Sequence, residues 1–189
     1  FKPFFLGMLI CIAGYVLFYI MIAFSQIYAK STPTVSEAGY AMGLGFSPQI
    51  FTALLMCSAI SLAITIAISG KYIDIIGRRI WLIWTTFGVA IFGLALPYFL
   101  DNGTTTSLFW FLMIGMGLIG MGYGPLASLL PELFPTHARY SGASLTYNIS
   151  GLFGASVAAI ITLPLNANYG LKGVGIYLTL NAIVSLIGL

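Results

Sequence analysis

Residues 70–79 read "GKYIDIIGRR". Lys71, Asp74, Arg78 and Arg79 crowd into this stretch of a chain that holds only seven basic and four acidic residues. On each side the sequence is apolar for about 20 residues, the length a helix needs to cross a hydrocarbon core. Lipid excludes a charged turn, so such a turn between two spanning runs marks where the chain leaves the bilayer and comes back. The fold class follows from it: an all-α membrane protein.

Composition agrees. The 189 residues are 60% hydrophobic and 6% charged, with a mean hydropathy of +1.05. A soluble domain carries about 25% charged residues. The net charge of +3 is too small and too dispersed for a nucleic-acid footprint. Cys11 and Cys57 lie in apolar runs and read as small buried hydrophobes. No histidine neighbours either one, so neither a disulfide nor a metal site is expected, and no cofactor is implied. The chain opens at Phe1 without Met and ends in an apolar run. It reads as a segment of a longer protein, without the cleavage signal of a secretory leader.

Working outward from 70–79, six apolar runs occupy approximately 4–28, 48–69, 80–100, 107–130, 140–165 and 173–189. None alternates as a membrane barrel strand would. Backbone groups in lipid must be paired within the segment, so the runs are expected to be helices forming one bundle. Six spans place the N-terminus, loop 70–79 and loop 131–139 on one side, with Lys2, Lys71, Arg78, Arg79 and Arg139. Lys30 and Lys172 fall on the other. The positive-inside rule makes the first side cytoplasmic. Trp81 and Trp84 then read as an inner interfacial belt, and Tyr98, Phe99, Phe109 and Trp110 as an outer one. The one long loop, 29–47, is external. Its Pro33, Gly39, Gly43 and Gly45 predict flexibility. The sequon Asn102-Gly103-Thr104 lies close to the membrane in a short loop, and chance is the better reading of it.

Polar residues inside spans face other helices or a water-filled path. Tyr15, Tyr19 and Gln26 share one side of the first span at helical spacing. Ser58, Ser61, Thr65 and Ser69 stripe the second, beside a ridge of Ala59, Ala63 and Ala67 suited to close packing. For that stripe, hydroxyls that bond back to their own helix are the favoured reading, with a path-lining role as the alternative. Ser144, Tyr147, Asn148 and Gly151 align in the fifth span. Tyr15, Tyr19, Gln26, Tyr147 and Asn148 are the candidate pathway residues, because bulky polar groups are harder to satisfy locally. The third span, hydrocarbon apart from Thr85 and Thr86, is expected at the periphery. The fourth contains "GMGLIGMGYGP", 115–125, whose glycines serve tight packing or a hinge near Pro125. No charged residue or histidine lies mid-span. A proton relay needs a titratable group in the membrane, so a coupling carboxylate would belong to a part of the protein outside this chain.

Two cytoplasmic loops carry the charge. In the first, Gly70 allows backbones to approach, Gly77 allows a turn of positive φ, and Asp74 can cap a following helix. In the second, 131–144, Pro131 and Pro135 stop a helix. Glu132 and Arg139 bracket the loop and can pair with each other or with Asp74 and the arginines.

The pattern G-x-x-x-D-x-x-G-R-R between two spans resembles the signature loop of the major facilitator superfamily. "ELFPTHARYSGASLTYN", with "GYGPLASLLP" before it and "LFGA" after, resembles the loop between helices ten and eleven in its metabolite:proton symporter branch. That branch includes carriers of proline and betaine, shikimate, citrate and 2-oxoglutarate. The resemblance covers the whole chain, as the C-terminal six-helix half of a twelve-helix carrier. It implies alternating access of two bundles about a midplane site, and a gating role for Gly70, Asp74, Gly77, Arg78, Arg79, Glu132 and Arg139. It also implies that the first, second, fourth and fifth spans face the path. Ile75 stands where the family often has a base, which thins the charge network. Ala155 and Ala158 stand where related carriers often show Gly and Pro, which argues against a helix break there.

The function expected is half of a proton-coupled secondary transporter for a small polar organic solute, in the inner (plasma) membrane, partnered by an N-terminal half and the lipid bilayer. The alternatives are a structural or partner-binding subunit and an intramembrane enzyme. The enzyme reading lacks a base, since His137 lies in a loop away from any membrane serine.

Overall fold

The computed structural model describes residues 2–189. The side chain of Lys2, counted above with the cytoplasmic cations, lies outside the described residues. Helix α1 (Lys2–Tyr19) continues through a π-helical turn (Ile20–Phe24) into α2 (Ser25–Lys30). Then come α3 (Pro48–Ile76), α4 (Arg78–Asp101), α5 (Thr105–Glu132), a 3₁₀ turn (Thr136–Ala138) and α6 (Arg139–Gly151). A second π turn (Leu152–Ser156) leads into α7 (Val157–Gly188).

Local chemistry sets these bounds. Ser47 caps α3, its Oγ accepting from Ile50 N–H at 3.4 Å, and Pro48 fills the first helical position. Thr104 caps α5, accepting from Ser107 N–H at 3.2 Å. Between α3 and α4 there is no loop. The single residue Gly77, at φ 92° and ψ 134°, turns one helix into the next, a conformation that side chains resist. Asp74 therefore sits in the last turn of α3. It does not begin the next element, and α4 has no side-chain cap.

The last two expected spans are one helical run in which Gly170, at φ 67° and ψ −169°, is the break. At 1.5 Å per residue the 53 residues of Thr136–Gly188 would reach about 80 Å, far beyond a bilayer. Gly170 folds them back. Ser150 bonds Met8 O at 3.5 Å before the break, and Ser185 bonds Leu9 O at 2.6 Å after it. Both ends thus lie beside the start of α1. At 152–156 the helix widens and does not break, and Ala158 is buried in it.

The bundle is held by contact. Lipid tails are as apolar as leucine, so helices associate in lipid through close packing and interhelical bonds. A Cβ on Gly93 of α4 would lie 2.8 Å from the Gly175 carbonyl of α7. Beside it Thr179 Oγ1 donates to Ala90 O at 3.0 Å. Ser185 also accepts from Ala13 N–H at 3.0 Å, bridging one rung of the α1 ladder. The segment Val16–Phe24, from α1 through the first π turn, forms the centre, with Val16, Ile20, Met21 and Phe24 fully buried.

The polar stripe of α3 packs on the glycines of α5. A Cβ on Gly120 would meet Leu62 O at 2.6 Å, and one on Gly117 would meet Ser61 Oγ at 3.1 Å. Ser58, Thr65 and Ser69 bond back to Leu55, Ser61 and Ile66 carbonyls at 2.7–2.8 Å, and only Ser61 reaches across, to Met113 O at 2.9 Å. The stripe therefore does not face a path, and the ridge of Ala59, Ala63 and Ala67 is exposed instead of packed. The physical reason is size. Hydroxyls that bond to their own helix pack as small residues, and the α5 glycines receive them.

The long segment between α2 and α3 is built, contrary to the flexibility its glycines predict. Leu44, Gly45 and Phe46 N–H groups bond to Tyr28, Ser31 and Ala29 carbonyls at 3.1, 2.9 and 2.8 Å. Val35 and Ala41 form a bridge. Asn166 Nδ2 donates to Ala41 O at 3.2 Å. The glycines serve specific turns: Gly39 and Gly45 have positive φ.

Candidate solute pathway

A cavity of about 60 Å³ opens between α1, α4, α5 and α6. From α1 it receives Cys11, Gly14 and Tyr15, and from α4 Leu82, Thr85, Thr86 and Val89. Helix α5 gives Gly122, Tyr123 and Leu126, and α6 gives Tyr147. None of the lining residues is charged.

Tyr15 and Tyr147, proposed from spacing alone, meet here. Their ring centroids are 5.1 Å apart with planes at 52°, within the range of favourable aromatic pairs. Two glycines make room for Tyr15. A Cβ on Gly151 would stand 3.1 Å from its ring, and one on Gly154, inside the second π turn, 2.7 Å from its Cβ. Gly14 leaves open space in the wall, with nothing within 4 Å of where a side chain would start.

The other three pathway candidates are elsewhere. Tyr19 is half-buried against the core on the same helix. Gln26 lies beyond the first π turn, whose extra residue rotates the succeeding turn by about 100° relative to an uninterrupted helix. It lines a separate shallow cleft with Lys30. Asn148 is exposed, its amide donating to Ser144 O at 2.8 Å.

Helix α4 is not merely peripheral. One stripe, including Ile80, Trp84, Phe87, Ile91, Leu94 and Tyr98, is exposed, while Thr85, Thr86, Val89 and Phe92 are buried. A helix apolar all round gives no signal of which face turns inward, so its place in the cavity wall was hidden. Cys11, Thr85, Thr86 and Tyr123 are lining residues that spacing arguments missed. Cys11 stands one turn before Tyr15, and Tyr123 is the one bulky polar group in the glycine run beside Pro125. Those were the available signals.

At the two charged loops Arg78 pairs with Glu132, joining the start of α4 to the end of α5. It is the only ion pair among the described residues. Asp74, Arg79 and Arg139 are exposed, so the wider network considered for them is not formed. Gly70 has open space around its Cα, so close backbone approach does not account for it. Trp84 is exposed, as an interfacial belt requires, but Trp81 turns inward. Its Nε1 donates to Met121 O at 3.0 Å.

Comparison with known proteins agrees with this architecture. The family model described as "Sugar (and other) transporter" matches residues 40–189. The chain belongs to that family, within the major facilitator superfamily, and is an integral membrane protein. It is 90% identical over its whole length to a Haemophilus influenzae protein with the provisional name metabolite transport protein, of which it covers 42%. It is 40% identical over 97% of its length to the inner membrane metabolite transport protein YhjE of Escherichia coli, covering 40% of that protein. Over 64% of its length it is 30% identical to a proline/betaine transporter of Salmonella typhimurium, covering 24% of it. The chain thus spans about two fifths of the relatives it matches most fully. No solved structure matches it.

Proposed function

We propose that this chain is the C-terminal six-helix half of a secondary active transporter that moves a small polar organic solute by alternating access, coupled to protons. The observation that carries the reading is the uncharged, tyrosine-lined cavity in a bundle of this family. Tyr15, Tyr123 and Tyr147 offer hydroxyls that both donate and accept, and ring faces that accommodate the apolar body of a solute. A site built this way holds a small polar molecule without gripping a formal charge tightly, which suits release as well as binding.

The N-terminal half supplies the rest. The relatives' greater length supports a further partner segment, since this chain covers 42% and 40% of two of them, and the exposed apolar surface of α3 supports a neighbour or lipid against it. With no charged residue lining the cavity, the proton-coupling carboxylate of this reading lies in that half. Tyr19, Gln26 and Asn148 extend the path on either side of the cavity. Loops 70–79 and 131–139 face the cytoplasm of an inner (plasma) membrane, and the Arg78–Glu132 pair with Asp74, Gly70, Gly77, Arg79 and Arg139 forms the gate region.

The test is uptake by the full-length carrier in proteoliposomes. A panel of radiolabelled amino acids, betaines and organic acids is offered with and without an inward proton gradient. Gradient-stimulated uptake of one class, weakened in apparent affinity by Tyr15→Phe or Tyr147→Phe, is expected. Failure to accumulate any of these solutes in a folded, correctly inserted preparation would leave a structural or partner-binding role.

A further inference from the structure

In an unbroken helix the Met121 carbonyl accepts from the N–H of residue 125. Residue 125 is proline and has no N–H to give. The donor comes from another helix: the Trp81 indole of α4, at 3.0 Å. The indole is also held from a third side, since the Tyr72 ring of α3 lies parallel to it with 6.5 Å between centroids and 3° between planes. One side chain thus ties α3, α4 and α5 together where Pro125 interrupts α5.

This junction adjoins the cavity. Leu82 and Thr85, on the next turn of α4, line one wall, and Gly122, Tyr123 and Leu126, flanking Pro125, line the facing wall. Thr85 Oγ1 in turn donates to the Trp81 carbonyl at 2.9 Å. We propose that Trp81 is a positioning residue whose indole replaces the backbone bond that Pro125 deletes, and so holds Tyr123 in the cavity wall. The meaning of this for solute passage rests on the transport reading; the bond itself does not.

A double-mutant cycle in the full-length carrier separates this role from ordinary packing. The readout is hydrogen–deuterium exchange of the amides of residues 122–124. Trp81→Phe keeps an aromatic ring but leaves the Met121 carbonyl without a donor, and should speed exchange there roughly tenfold. In a Pro125→Ala background the new N–H of residue 125 reaches that carbonyl, and the same Trp81→Phe change should speed exchange less than about threefold. Equal effects in both backgrounds, or none in either, would overturn the proposal. If Trp81→Phe alone fails to fold, recovery of folding in the double variant supports the bond, and failure of both reduces Trp81 to a packing residue. Exchange needs no solute, so the result stands whether or not uptake is found.

Discussion

Arg78 at the first residue of α4 is ion-paired with Glu132 at the last residue of α5. The pair closes one end of the antiparallel neighbours α4 and α5. It is partly exposed, at 33% and 55% of the two side chains, and exposed pairs contribute only ~0–1 kcal/mol. In the proposed gate its value would lie in which state it favours. Glu132→Gln should therefore leave thermal stability within ~1 kcal/mol of wild type while changing the uptake rate, and the exchange Arg78→Glu with Glu132→Arg should recover that rate. Asp74→Asn, one turn before Gly77, should also slow uptake without affecting membrane insertion. Unchanged initial rates in both Glu132→Gln and Asp74→Asn would remove these residues from the gate.

Gly14 marks the roomiest part of the cavity wall. A side chain there meets no neighbour within 4 Å at its first atom, so a larger one extends into the cavity. Gly14→Leu should fold normally and abolish or strongly reduce uptake, whereas Gly14→Ala should be mild. Circular dichroism and size-exclusion profiles check the fold while uptake checks the obstruction. Full activity in Gly14→Leu would show that solute takes another route.

Gly154 tests the seat of Tyr15 from the opposite side. An added Cβ would stand 2.7 Å from the Tyr15 Cβ and 3.3 Å from Ile12 O, and neither can swing away as a side-chain tip can. Gly154→Ala should cost ~1–3 kcal/mol, read as a lowered unfolding midpoint in detergent. Its Tyr15→Ala double variant should not recover, since the Tyr15 Cβ remains; Tyr15→Gly should recover in part.

Gly170 divides the long final run. Its φ of 67° already disfavours a side chain, and the Tyr40 ring occupies the place a Cβ would take, 2.6 Å away. Gly170→Ala should destabilise by ~1–3 kcal/mol and loosen the segment between α2 and α3. Faster proteolysis between 31 and 47 is the measurement. A cleavage rate equal to wild type would mean that the segment is held without Gly170, through the Asn166 contact to Ala41 alone.

Much was legible without coordinates. Apolar length and the charged stretch 70–79 called for membrane helices, because lipid tolerates neither unpaired backbone nor free charge. The 3.6-residue period put Tyr15 on a useful face and Tyr147 on another, and the two rings do meet. Gln26 does not share the Tyr15 cavity because a π turn is invisible to a period count, and one extra residue turned it away. Arg78 and Glu132 were both singled out, but several partners were open to each until the helices were placed.

By itself the sequence determined the solvent and the helical class, since these depend on length and composition. The tertiary structure alone decided which faces meet. Helix α4 is apolar on every side, so only its neighbours could select Thr85 and Thr86 for the cavity. The hydroxyl stripe of α3 could have faced water or glycine, and the α5 glycines decided for packing. Trp81 could have rested at the lipid interface, but Pro125, far along the chain, left a carbonyl that an indole could reach only once α4 and α5 lay side by side.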